Sequence, residues 1–380
     1  MATKSDKKTI CLNMIVKNEA AIIRDTLENI LGYIPLDYYV ISDTGSDDNT
    51  VEIIEQFFTE KGISGEIHHD KWVNFAHNRN LALKYAEGKT DYVLVFDADD
   101  RFSGNFILPE TLIHDRYTFR ITNDAFRANV YFRPLMFIND GSFYWRGVLH
   151  EFLEQRKKTI VEYPIKNGNY YVIGGSFGAR SKDPKKYLQD AQVLEKAFYT
   201  PEDEDLKNRY AFYTAQSYRD AGMLEKAIEW YTIRANLGGW SEEVYYSLLQ
   251  IGLMKMELNV PLEEIQQLLL ATYEYRPQRA ESLYFLARHL RLNDKIKLAY
   301  IYASAAVNIP LSKDILFVDY SVYDWKAKDE LAVAAYWVEN YQLCYDLCLE
   351  LLDNPSIPER DKQRFKENLN FAAEKLGLKQ

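Results

Sequence analysis

The residues able to do chemistry in this 380-residue chain gather at the ends of its apolar runs. Tyr92–Phe96 is uninterrupted apolar sequence, and it ends abruptly in Asp97, Ala98, Asp99 and Asp100. Two carboxylates one residue apart at the end of such a strand can approach a single hard divalent cation from one side, so magnesium or manganese carrying a diphosphate is the natural occupant. The same residues also suit an acidic turn that caps the next segment. Polar groups recur at Lys17–Glu19, at Asp43–Asp48 and at the pair His150–Glu151. At a turn, a histidine and a glutamate side by side can both enter one site. One then faces a cation and the other a hydroxyl proton, and either is a competent base. Asp124 and Asp140 are reserve candidates for the base. Arg79, Arg180 and Lys182 supply positive charge for developing anionic charge.

These groups need a scaffold that brings strand ends together. The first half alternates short apolar runs with helical patterns, the signature of an α/β domain on a mostly parallel sheet. Strands are predicted at Ile10–Val16, Tyr38–Ser42, Glu66–His69 and Tyr92–Phe96, with helices at Ala20–Leu31, from Thr50 to about Lys61, and at Phe75–Glu87. Aromatic alternation near 117–121, 129–134 and 142–146 suits an antiparallel extension, so the sheet is predicted to be mixed. In a doubly wound sheet ligands bind outside the carboxyl ends of the strands, which puts the loops carrying Lys17, Asp43 and Asp97 around one crevice. Asp47, Asp48 and Asn49 are better placed than Asp43 to cap the helix at Thr50. The Gly-rich run Gly174–Gly178 opens no strand–turn–helix phosphate loop and reads as a flexible segment able to close over a bound ligand.

Beyond it the sequence turns to helix formers. Residues 210–222 with 225–231, and 280–289 with 297–305, have the small-residue and aromatic spacing of tetratricopeptide-type helical hairpins, with a weaker copy from Asp329 to Cys348. The predicted division is an α/β domain over 1–182 and an all-α repeat domain over 183–380.

Composition bounds the function classes. The formal charge of -10 disfavours a nucleic-acid partner. Three cysteines, Cys11, Cys344 and Cys348, are too few for a disulfide framework, and the last two, one helical turn apart, read as packing residues. No apolar run is long enough to span a membrane, and no signal-peptide pattern opens the chain. A soluble, cytoplasmic protein is the expectation.

Four ordered segments, 10–19, 40–50, 75–80 and 95–100, followed by Trp145–Glu151 and Gly178–Pro184, resemble the family 2 glycosyltransferases of GT-A fold. The resemblance continues into a subgroup whose catalytic domain is fused to tetratricopeptide-like repeats. It implies a Rossmann-like α/β GT-A domain and a metal-dependent, inverting transfer of a sugar from a nucleotide-diphosphate donor, UDP-linked by preference, to a hydroxyl of a glycan or protein. By that resemblance Val16, Lys17, Glu19, Asp43, Arg79, Asp97, Ala98 and Arg180 would line the donor, with Lys17, Glu19 and above all Asp43 holding its base and ribose and Arg79 reaching its diphosphate or ribose. Asp97, Asp99 and His150 would hold Mn2+ or Mg2+, and Glu151 would be the base. The repeats would present the acceptor or join two copies of the chain. The competing readings are a nucleotidyltransferase, which lacks its usual Gly/Arg/Lys-rich signature here, and a repeat scaffold with an inactive transferase domain.

Overall fold

The computed structural model describes residues 7–122, 130–175, 178, 180 and 183–378, with backbone alone at 201 and 202. The chain forms two compact units, residues 1–203 and 204–380. The division falls past the expected one at 182/183, because the helix Lys186–Phe198 belongs with the first unit.

The first unit is built on β1 (Ile10–Val16), β2 (Tyr38–Asp43), β3 (Ser64–His69) and β4 (Tyr92–Val95). The strand order β3-β2-β1-β4 is parallel throughout. Side chains alternate across a strand, so β1 builds two cores at once. Leu12 and Met14 face α1 (Ile23–Tyr33) and α2 (Thr50–Lys61) through Leu27, Ile30, Phe57 and Phe58. Cys11 faces the other way, toward α3 (Phe75–Ala86), with Val93, Val95, Ala76 and Ala86. Asn13 shares that second face, and its buried amide donates to the carbonyls of Ala82 at 2.9 Å and Val40 at 3.4 Å. It ties β1 to both neighbours where an unpaired amide would be costly.

Past β4 the chain makes β5 (Arg101–Gly104), β6 (Arg116–Thr122), β7 (Val130–Ile138), β8 (Phe143–Arg146), β9 (Phe152–Gln155), β10 (Glu162–Pro164) and β11 (Tyr170–Ile173). The sheet continues in antiparallel pairs from β4 through β7 to β6, then to β11, which runs parallel to β6 and antiparallel to β5, so it is mixed. β8 and β9 form a separate hairpin. The unit ends with α4 (Lys186–Phe198).

The second unit is helical: α5 (Lys207–Asp220), α6 (Leu224–Leu237), α7 (Ser241–Glu257), α8 (Leu262–Tyr275), α9 (Glu281–Leu292), α10 (Ile296–Val307), α11 (Ala327–Trp337), α12 (Tyr341–Asp353) and α13 (Glu359–Lys375). Neighbours in sequence pack against one another, as the hairpin spacing predicts. Cys344 and Cys348 lie buried on α12 in an apolar cluster. A buried ion network centres on Arg279, which binds Glu281 at 2.7 Å and Asp314 at 3.3 Å. No helix among the described residues is long and apolar enough to cross a membrane.

Two glycines give the packing a direct check. A methyl group at Gly65 would collide with the ring and carbonyl of Tyr39, which stacks on Phe58, whereas one at exposed Gly32 of α1 meets nothing within 4 Å. Gly65→Ala should lower stability by about 1–3 kcal/mol. Gly32→Ala should raise it by about 0.5–1 kcal/mol. Thermal unfolding that moved in the same direction for both would contradict this packing.

Candidate active site

The carboxyl ends of β1 and β2 meet in register, Val16 opposite Asp43, and β4 ends beside them, Val95 opposite Asn13. The topological switch lies between β1 and β4, where the order of the strands reverses. Four segments converge there.

The first is the β1–α1 loop. Asn18 adopts a left-handed backbone (φ 57°), and its N–H donates to Ser46 Oγ at 2.9 Å while its carbonyl oxygen Oδ1 accepts from Asp47 N at 2.9 Å. Glu19 N donates to Thr50 Oγ1 at 2.8 Å. The loops after β1 and β2 therefore hold each other's shape. Asp48 caps α2, accepting from Thr50 N at 3.0 Å, as expected of the acids before that helix. Asp43 is 3 % exposed, and its carboxylate accepts from Gly45 N, Ser46 N and Oγ, and pairs with His69 Nδ1 at 3.3 Å. The residue expected to meet the donor's base or ribose thus faces inward.

The second and third segments are the β4 end and α3. Asn74 caps α3 by accepting from His77 N at 2.8 Å, and Asn80 clasps the backbone of Trp145 with both ends of its amide, at 2.7 and 2.9 Å. This clasp fixes α3 against β8 and sets Arg79 over the Trp145 ring, 5.1 Å from its centroid. Arg79 is 7 % exposed. Its Nη2 donates to Asp97 Oδ1 at 2.6 Å and its Nε to Glu151 Oε1 at 2.7 Å. The arginine expected to reach the diphosphate bridges two carboxylates. Burial works against its charge, but Asp97 and Glu151 outweigh burial and hold the guanidinium ionised well above its ordinary range.

The fourth segment is the β8–β9 turn, where Gly147 (φ 96°) and His150 (φ 51°) are both left-handed. The turn carries Glu151 in to Arg79 and leaves His150 exposed. Glu151 Oε2 has no hydrogen bond among the described residues.

The acids after β4 have three different environments. Burial raises the Asp97 carboxyl, but Arg79 and Arg133 overcome it and hold the group below its usual value. Asp99 is pushed up by burial and by Asp97; its Oδ2 accepts one weak bond from Gly178 N at 3.4 Å. A methyl group on Gly178 would lie 3.2 Å from both Asp99 Oδ2 and Glu19 Oε1, so acids from the loops after β1 and β4 converge at that point. Asp100 is 3 % exposed and accepts from Arg133 Nη2 at 2.6 Å; burial and Asp97 nevertheless push it up to about 7. Arg133 also pairs with Asp97 at 3.6 Å. Nothing in the sequence singled it out, because its role depends on the antiparallel register that sets it opposite Phe119.

The remaining expected residues are accounted for as follows. Val16 and Lys17 line a cavity of about 530 Å³ with Glu19, Thr44, Trp72 and Phe75 on its sides and Arg180 at α4. Arg180 lies over Phe75 and pairs with Asp190 of α4. Ala98 is buried, its carbonyl accepting from Thr26 Oγ1 at 2.5 Å. Asp140 pairs with Lys157 at 2.7 Å in the turn before β8, a structural role away from Arg79. Asp124 and Lys182 lie outside the described residues, as do Ser176, Phe177 and Ala179 of the Gly-rich segment. Among the described residues no three His, Cys, Asp or Glu side chains form a group able to hold a metal ion, so Asp97, Asp99 and His150 are not a preformed cage. A magnesium-type site does not need one, since that ion is commonly held by one or two carboxylates plus substrate phosphates and water. Asp99, with no cationic partner in bonding distance among the described residues, suits such a site.

Residues 11–118 match the family model described as glycosyl transferase family 2. That span carries Lys17, Asp43, Arg79 and the acids from Asp97 to Asp100, and the match supports reading the chain as a glycosyltransferase. Solved structures similar to this chain include MamA (14 % identity, 46 % of this chain, 85 % of that one, TM-score 0.36) and BtubC from P. vanneervenii (12 %, 53 %, 85 %, 0.40). A third is a crystal structure of nearly identical TPR-like repeats from Podosopora anserina (17 %, 47 %, 90 %, 0.34).

Two results test this geometry. Arg79→Met leaves Glu151 without its cation and Asp97 with Arg133 alone, and should cost about 3–5 kcal/mol, toward the lower end because Asp97 is part-exposed and keeps that second arginine; an unchanged denaturation midpoint would contradict the bridge. A carboxyl whose folded value is raised lets the native state hold the extra proton, so Asp100 takes stability away as the pH climbs from about 4 to about 7. The Tm of Asp100→Asn, whatever its constant offset, should gain on wild type over that interval and run parallel above it. A gap independent of pH would contradict the raised value.

Proposed function

We propose that the first unit transfers a sugar from a nucleotide-diphosphate donor, a UDP-sugar in the first instance, to a hydroxyl of a glycan or protein acceptor. The observation that carries this reading is the Arg79 bridge: one buried guanidinium holds Asp97, at the strand end expected to meet the donor, and Glu151, expected to act on the acceptor. The match of residues 11–118 to glycosyl transferase family 2 supports it.

In this reading Lys17, which lines the cavity, meets the diphosphate, and Asp99 is the residue that would hold Mg2+ or Mn2+. The cation, when bound, supplies Lewis-acid neutralisation of charge on the departing nucleoside diphosphate. Glu151 Oε2 takes the proton of the acceptor hydroxyl, whose oxygen attacks the anomeric carbon as the bond from that carbon to the phosphate oxygen breaks. Attack opposite the leaving group inverts the anomeric centre. Arg79 acts through its two partners: it fixes the Glu151 carboxylate by one oxygen and keeps Asp97 ionised. The helical unit is assigned to acceptor docking or pairing of two chains.

Donor turnover over a panel of UDP- and GDP-sugars tests the reading. Glu151→Gln should lower kcat by about 10²–10⁴-fold with donor affinity nearly unchanged. Asp99→Ala should abolish metal-dependent thermal stabilisation by the productive donor, which for ligand at 100 times its Kd amounts to about 2.7 kcal/mol in the wild type. Full activity of both variants would refute these assignments.

A further inference from the structure

The carboxylate expected to read the donor's base is turned toward the protein, since Asp43 is 3 % exposed and bonded to Gly45, Ser46 and His69. The cavity beside it offers a different pair of features. Trp72 lines it from the segment between β3 and α3 and is 41 % exposed, its indole braced edge to face by Phe75 at 4.8 Å. Lys17 lines the same cavity, and its ammonium makes no hydrogen bond or ion pair among the described residues. A fixed aromatic face and an unpaired cation in one cavity complement a ligand that is flat at one end and anionic at the other.

We propose that Trp72 is the platform on which the donor's nucleobase stacks, with Lys17 meeting the diphosphate. The proposal rests on the glycosyltransferase reading and adds a donor-binding residue to it. A large ring braced by a neighbour gives up less rotamer freedom when the ligand arrives, which lowers the cost of binding. Stacking uses the π-face that every base has, so it needs no carboxylate aimed at the base edge. Inorganic pyrophosphate shares the anionic end of the ligand and lacks the flat one, and so separates the two contributions.

Calorimetric titration and tryptophan emission of the full chain in magnesium chloride, with UDP, GDP and inorganic pyrophosphate as probes, test it. At least one nucleotide should bind the wild type and quench emission. Trp72→Ala should weaken that nucleotide about tenfold or more and remove most of the quench, while Trp72→Phe recovers most of the affinity. Neither variant should change pyrophosphate binding, and Lys17→Ala should weaken nucleotide and pyrophosphate alike. Equal nucleotide binding by Trp72→Ala, or an equal loss for pyrophosphate, overturns the platform and leaves the transferase reading standing. A wild type that binds neither nucleotide overturns the reading and the platform with it.

Discussion

A guanidinium buried as deeply as that of Arg79 keeps its charge, so its burial is tolerable only where carboxylates repay the lost hydration. Asp97 and Glu151 do so, and they come from segments more than fifty residues apart. The bond to Asp97 fixes the turn after β4; the bond to Glu151 fixes the β8–β9 turn; and the Asn80 clasp on Trp145 holds α3 where both bonds are possible. Arg79 is the member both carboxylate bonds share, so the strand end and the turn are placed as a unit. Arg133 closes the arrangement from the other side, sharing Asp97 with Arg79 and holding Asp100 beneath it. Asp97 and Asp100 thus share two arginines, and among the described residues Asp99 pairs with none.

Much of this framework was legible in the sequence, for identifiable reasons. β1 and α2 have the predicted ends, because seven residues from Ile10 carry strand periodicity and Gly62 stops a helix begun at Thr50. The crevice also follows from periodicity, since parallel strands gather their carboxyl ends by construction. Short strands with mixed composition, such as β5, β9 and β10, carry too few residues to show a period. The helix α4 reads as the start of the helical half by composition, yet its partners lie in the first unit and only the tertiary packing reveals this.

Side-chain partners were the least legible part of the site. Arg79 and Asp43 stand in motifs that point to a ligand, and in the structure the groups they touch are protein groups. A motif fixes where a residue sits on its strand or helix, while the direction of a long side chain depends on which acid the fold delivers to it. Trp72 and Arg133 lie outside every motif: one matters for its exposure beside a cavity, the other for a cross-strand register, and neither property is written in residue type.

The central claim is that Arg79 is a bridge between carboxylates rather than a ligand for phosphate. A crystal structure of the full chain with manganese and whichever nucleoside diphosphate binds it addresses that claim most directly. The account predicts diphosphate density beside Asp99 and Lys17, with Arg79 still bonded to both Asp97 and Glu151. Arg79 turned onto the diphosphate, with Glu151 released, would contradict it.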